Sequence, residues 1–202
     1  MSIAKLTGQD IGEPEFQGST VEVPGGCNVV AGGKDIWGKS DQFHYAYTEA
    51  SGDFEVTVRL ESLSSADLYT KAGIMVRESL AADSAHAFFQ VFPDNSPRNK
   101  NNGGYEFQFR EAAGGGSAAI YPDDYTTEPP AFPVQYPHTW LRLQRSGDSL
   151  QSFYSADGSE WKPYSIYRTQ LSRDVLLGLA VTAHSKTGTA EAAFRDLTVR
   201  SI

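Results

Sequence analysis

Hydrophobic and polar residues alternate along this chain in short runs separated by turn residues. The clearest run is Phe54-Glu55-Val56-Thr57-Val58-Arg59-Leu60-Glu61, in which Phe54, Val56, Val58 and Leu60 face one way and the polar side chains the other. Residues two apart on an extended chain share a face, so this spacing predicts a strand with one buried and one solvated side. Ser51-Gly52-Asp53 just before it reads as a hairpin turn to a strand over residues 42–48. Leu141 and Leu143 mark a half-buried strand starting near Trp140, and Phe194, Leu197 and Val199 supply a final strand. Ser155-Ala156-Asp157-Gly158 reads as the turn of a hairpin with Phe153 and Trp161 on its two arms. Residues 175–183 are apolar on both faces, as suits a central strand covered on both sides, with a buried helix as the competing reading.

Two stretches break this rhythm: residues 93–104, rich in Asn, Pro and Gly, and residues 112–137, with a triple glycine and five prolines. They predict long loops, and Tyr121, Tyr125 and Tyr136 favour an ordered second loop. Long helical periodicity is absent. Many short strands and 19 glycines in 202 residues define an all-β sandwich or barrel, expected to be a single domain over residues 1–202.

The 17 basic and 25 acidic side chains leave a formal charge of −8, which repels phosphate backbones and excludes nucleic acid as the expected partner. Cys27 has no second cysteine to pair with and is expected as a small buried side chain. The first residues lack the apolar run of a secretory signal and no stretch approaches membrane-spanning length, so no membrane insertion is expected. As written the chain is expected in the cytoplasm, or outside the cell if a signal has been removed.

Several segments are familiar together: Asp10-Ile11-Gly12, Gly32-Gly33-Lys34-Asp35-Ile36-Trp37-Gly38, Ser40-Asp41-Gln42-Phe43-His44-Tyr45, Lys71-Ala72-Gly73-Ile74-Met75-Val76-Arg77-Glu78-Ser79 and Gly178-Leu179-Ala180-Val181-Thr182-Ala183-His184. In this order, over about Asp10 to Val199, the chain resembles concanavalin A-like, laminin-G-like jelly-roll domains. Such domains occur in bacterial cell-surface proteins, often appended to carbohydrate-active enzymes, and are related to the domain of the regulation-of-enolase protein. The resemblance implies a two-sheet antiparallel jelly-roll sandwich. Jelly rolls commonly clip their terminal strands with calcium, and Asp10 and Asp196 are the candidates for such a structural ion, although no dense acidic loop supports it.

Sorting polar side chains by strand face isolates one set. Lys71 and Arg77 share a face with Met75; His86 and Gln90 fall with Phe88; Glu106, Gln108 and Arg110 fall together; His184 ends the apolar strand; and His44 lies opposite Phe43, Tyr45 and Tyr47. If these strands build the concave sheet, His44, Lys71, Arg77, His86, Gln90, Gln108, Arg110 and His184 converge on one groove, with Trp37 as a stacking ring at its edge. Hydroxyls take paired hydrogen bonds and the apolar face of a sugar packs on an aromatic ring, so the expected ligand is an oligo- or polysaccharide. The bland alternative is a set of solvent-facing residues and structural histidines, with Trp37 as a packing residue. The Glu-x-Asp-x-x-Glu strand of this fold's glucanases is absent. A polysaccharide lyase remains the enzymatic alternative, with Arg77, Gln90 or Gln108 neutralising a uronate, His86 as base and Tyr105 or Tyr45 as acid. A protein-protein interaction or structural module is the third reading.

Overall fold

In a computed structural model, which describes residues 5–98 and 100–202, the chain forms fourteen strands and, among those residues, no helix. They are β1 (Thr7–Ile11), β2 (Ser19–Val23), β3 (Gly26–Ala31), β4 (Phe43–Ser51), β5 (Phe54–Leu63), β6 (Lys71–Arg77) and β7 (His86–Val91). The second half supplies β8 (Tyr105–Arg110), β9 (Ser117–Ile120), β10 (Thr139–Ser146), β11 (Ser149–Ser155), β12 (Lys162–Arg168), β13 (Asp174–Thr182) and β14 (Ala190–Ser201). Two antiparallel sheets of seven strands form a jelly-roll sandwich, one in the order β1-β4-β13-β6-β7-β8-β9 and the other β12-β11-β10-β5-β14-β3-β2.

The core between the sheets follows the period-2 pattern. Phe54, Val56, Val58 and Leu60 of β5 meet Val175, Leu177, Leu179 and Val181 of β13 in one buried cluster. β13 lies between β4 and β6, and its other face carries Leu176 and Ala180 into a second cluster with Ile11, Phe43, Tyr45, Met75 and Phe88. This second cluster is why the strand is apolar on both sides. β14 changes the parity of its inward residues, from Ala192 and Phe194 to Leu197 and Val199, because its pairing with β5 slips between Arg195 and Thr198.

One turn joins the expected strands without pairing them. Residues 51–53 do reverse the chain, with Gly52 at φ +75°, but β4 and β5 lie in different sheets, so the turn is a crossover between layers and not a hairpin. The expected hairpin at residues 155–158 forms, as β11 pairs with β12.

The second cluster lies on the outer face of the first sheet, the face expected to be an open groove. Residues 32–42 cross that face and bury Ile36 completely, while Leu80 and Ala82 pack on the same cluster. Burying an isoleucine of this kind contributes about 1.5–3 kcal/mol. The crossing segment is pinned by Asp41 N–H donating to Ala82 O (2.9 Å) and Gln42 N–H to Asp35 O (2.8 Å). Its sharp entry needs Gly33, which has φ +105° and lies so close to Gln42 that a Cβ would come within 2.0 Å of the Gln42 carbonyl oxygen.

Candidate functional site

The structure brings Lys71, Arg77, His86, Gln90, Gln108 and Arg110 together on the outer face of β6, β7 and β8, as their alternation predicts. They do not line an open groove, because residues 32–42 sit over them and every one is buried. At the centre is Asp41, fully buried, whose Oδ2 accepts from Arg77 Nη1 and Arg110 Nη1 (both 2.8 Å) and whose Oδ1 accepts from Arg110 Nη2 (2.6 Å). The remaining guanidinium donors go to backbone carbonyls: Arg77 Nε to Ser79 O (2.9 Å), Arg110 Nη1 to Ser84 O (3.1 Å) and Arg110 Nη2 to Gly38 O (3.1 Å). Gln108 Nε2 donates to Ile36 O at 2.6 Å.

His86 lies 3.6 Å from Asp41 and is pushed down to about 3, first by burial and then by the nearby Arg77 and Arg110 charges, against the pull of Asp41. It is therefore a neutral imidazole. The lyase arrangement does not assemble either. Tyr45 donates its hydroxyl to the Met75 and Leu176 carbonyls, and Tyr105 points into the inter-sheet core, on the opposite side of the sheet from His86.

The covered face opens at one end. The end of β13, the start of β6, the end of β7 and the start of β8 lie side by side there, and a half-open cavity of about 230 Å³ is lined by Asp35, Trp37, Tyr69, Lys71, Glu106, Tyr121 and His184. Trp37 is 40% exposed. Lys71 Nζ donates to Asp35 Oδ1 (2.7 Å) and Ile36 O (3.1 Å) and sits 5.5 Å from the centre of the Trp37 ring. His184, at φ +53°, places Nε2 3.5 Å from Asp35 Oδ2 and its ring 5.4 Å from that of Tyr69; its Nδ1 lies 2.8 Å from Asp67 Oδ1 without hydrogen-bond geometry. The Asp35 contact raises the His184 pKa against the effect of burial. Burial alone would raise the Asp35 carboxyl, but hydrogen bonds from His184 and Lys71 hold it below its ordinary range.

Across the cavity, Glu106 accepts from Gln90 Nε2 (2.8 Å) at one oxygen and from the Tyr121 hydroxyl (2.7 Å) at the other. Burial and the Glu106 charge both keep that phenol protonated. The two long loops converge on this end: Arg98 Nε reaches Leu68 O (2.7 Å), and Asn102 Nδ2 reaches Thr127 O (3.0 Å). The second, expected as a loop throughout, contains β9, which pairs with β8; beyond it Tyr125 is buried in the aromatic cluster and Tyr136 donates to Phe92 O.

Of the expected site residues, Trp37, Lys71 and His184 line the cavity. Asp35 and Tyr69 complete it without having stood out in the sequence, together with Glu106, which fell with Gln108 and Arg110 on the polar face of its strand, and Tyr121 of the second long loop. His44, expected to converge with the other site residues, does not: it alternates with Phe43 and Tyr45 and so lies on the opposite face of the sheet, where Nδ1 meets Asp10 Oδ1 (2.7 Å) and Nε2 meets Thr20 Oγ1 (2.9 Å). Asp10 and Asp196 do not meet: Asp10 also accepts from Gly18 N–H (3.0 Å), while Asp196 accepts from Arg59 Nε (2.7 Å) in the other sheet. Among the described residues no group of three or more His, Cys, Asp or Glu side chains is placed to hold a metal ion. A larger cavity, about 680 Å³, lies at the opposite end near Gly52, Arg145 and Arg173. It has no aromatic wall, and Arg145 spends its guanidinium on the carbonyls of Gly147, Leu171 and Ser172. Its chemistry makes it the weaker candidate despite its size.

A jelly-roll sandwich with one sheet face plugged by its own chain, and a small aromatic and carboxylate pocket at the end of that face, is the class of protein these features define. The chain belongs to the family described as "Protein of unknown function (DUF1349)", which matches residues 25–202. No curated protein matches it. Among solved structures it is similar to a functionally unknown protein from Saccharomyces cerevisiae, with TM-score 0.69 and 16% identity over 98% of this chain and 97% of that one. It is also similar to carbohydrate-binding module CBM66 from Bacillus subtilis, with TM-score 0.57 and 13% identity over 96% and 95% of the two chains. The exoplasmic/lumenal domain of VIP36, in a Ca2+/Man-bound form, gives TM-score 0.51 and 13% identity over 100% and 84%. At these identities the likeness is one of fold.

Proposed function

We propose that the protein is a carbohydrate-recognition domain that holds one sugar residue of its ligand in the pocket between Trp37, Tyr69 and Tyr121. The observation that carries this reading is the composition of the cavity: three aromatic rings, two carboxylates, an ammonium and an imidazole share about 230 Å³ at the open end of the sheet. That is below the roughly 300–1,000 Å³ of sites for drug-sized molecules and suits a single ring. A half-exposed indole offers a stacking surface, while Asp35, Glu106, Lys71 and His184 offer the mixture of acceptors and donors that sugar hydroxyls require. The fold is shared with a carbohydrate-binding module and with a domain seen with mannose, which supports the same reading.

The test is a glycan array followed by calorimetry with Trp37→Ala. Because Trp37 is 40% exposed, the variant should keep its fold and lose about tenfold or more in affinity, the effect of removing one stacked ring. Absence of binding to any glycan, or unchanged affinity in the variant, overturns the assignment.

A further inference from the structure

The pocket has two walls of different electrostatic character. On one, both cations are matched by carboxylates: Lys71 Nζ is 2.7 Å from Asp35, and His184 lies between Asp35 and Asp67. On the other stands Glu106, only 7% exposed, whose partners are the uncharged Gln90 amide and Tyr121 hydroxyl. Among the described residues Glu106 forms no salt bridge, although buried carboxylates elsewhere in the protein have them, as Asp41 does with Arg77 and Arg110. A carboxylate held out of water without a counter-charge is costly. Each of its oxygens still has acceptor capacity after one hydrogen bond. The surplus of acceptors extends behind it, since Gln90, fully buried, gives its amide to Glu106 and has no partner for its own Oε1 among the described residues.

Resting on the carbohydrate reading above, we propose that the pocket selects a hexosamine with a free amine, its ammonium placed on Glu106 and its ring against the aromatic wall. A hydroxyl brings one donor and no charge to this wall. An ammonium brings three donors and the missing positive charge, so that its hydrogen bond to the carboxylate is also an ion pair. An N-acetylated amine brings one donor, no charge and added bulk. A uronate or sulfated sugar would set like charge against Glu106, and the protein's net charge of −8 acts in the same direction.

The experiment compares the common hexosamines with their N-acetyl forms and parent hexoses, by calorimetry or ligand-observed NMR at constant ionic strength, alongside a wider glycan array. A free hexosamine should bind about tenfold or more tighter than its own N-acetyl form and parent hexose, the range expected of a charged hydrogen bond. Glu106→Gln should abolish that preference, so that the free hexosamine binds no more tightly than its parent hexose whatever the variant's absolute affinity for the hexose. If neutral or acidic glycans bind as well as the free amine or better, the amine assignment is overturned and the carbohydrate reading stands. The same holds if Glu106→Gln weakens all ligands equally. If no glycan binds, both fall together.

Discussion

Replacing Asp41 by Asn tests whether the plug over the sheet is held by charge. The substitution keeps the side-chain volume and removes one negative charge from a site where Asp41, Arg77 and Arg110 are all essentially inaccessible to water. The carboxylate receives three guanidinium contacts of 2.6–2.8 Å, so its loss leaves two buried cations facing only uncharged groups, chiefly backbone carbonyls. Burial already depresses the Arg77 pKa, and Asp41 is the foremost influence opposing that shift. Removing one member of a buried ion pair costs about 3–5 kcal/mol. At roughly 2–4 °C per kcal/mol for a domain of this size, the melting temperature should fall by about 6–20 °C. The matching control is Asp148→Asn, which breaks the exposed pair with Arg168 and should change stability by no more than about 0.5 kcal/mol. Urea denaturation of the three proteins, read by tryptophan fluorescence and by circular dichroism, gives both differences. A loss below about 1 kcal/mol in Asp41→Asn would refute the argument, since it would mean that the arginines find water or other partners when the carboxylate is gone.

Three further predictions concern the histidines and one glycine. His86 is held neutral down to about 3, whereas the unfolded chain takes up its proton near the ordinary value of 6.5. Its contribution is complete above that ordinary value and is lost as pH falls toward 3, at up to about 1.4 kcal/mol per unit, so His86→Gln should flatten the acid limb of stability measured by denaturation across pH 4–7. His184 has the opposite sign: its pKa is raised by Asp35, so its contribution is present below 6.5 and lost as pH rises through the folded value. Being half-exposed, it should contribute less than about 1 kcal/mol, and an NMR titration placing its imidazole at or below 6.5 would contradict the Asp35 contact. Gly18→Ala would place a Cβ 2.4 Å from His44 Nδ1, breaking the Asp10–His44 contact between β1 and β4, and should cost about 1–3 kcal/mol in urea titrations. A cost below about 0.5 kcal/mol would show that this edge adjusts freely.

What could be read from the sequence, and what could not, follows from which neighbours a residue has. β5 was legible because one of its faces meets the other sheet and the other meets water, a contrast written directly as alternation. β1 and β2 carried no such signal, since both are edge strands exposed along most of their length. The parity of β14 was obscured by its slip beside β5. The polar face of β6, β7 and β8 was also legible as a face, but alternation says only that Arg77, His86, Gln108 and Arg110 point the same way. Whether water or another segment lies over them depends on residues 32–42, an irregular crossing with no period of its own. Asp41 was present in the quoted motif with no sign that it would neutralise two arginines from strands far along the chain.

That same crossing places Asp35 and Trp37 at the uncovered end, where β6 and β8 contribute Lys71 and Glu106. The plug and the pocket are therefore two parts of one device: the Asp41 contacts that remove most of the face from solvent also set the position of Asp35 and Trp37 in the pocket wall. Substitutions at Arg77 or Arg110 should then weaken ligand binding through the position of Trp37, without either arginine touching the ligand. In this protein a polar strand face that looks like a binding groove acts as the anchor for the segment that covers it, and that segment goes on to line the pocket at its end.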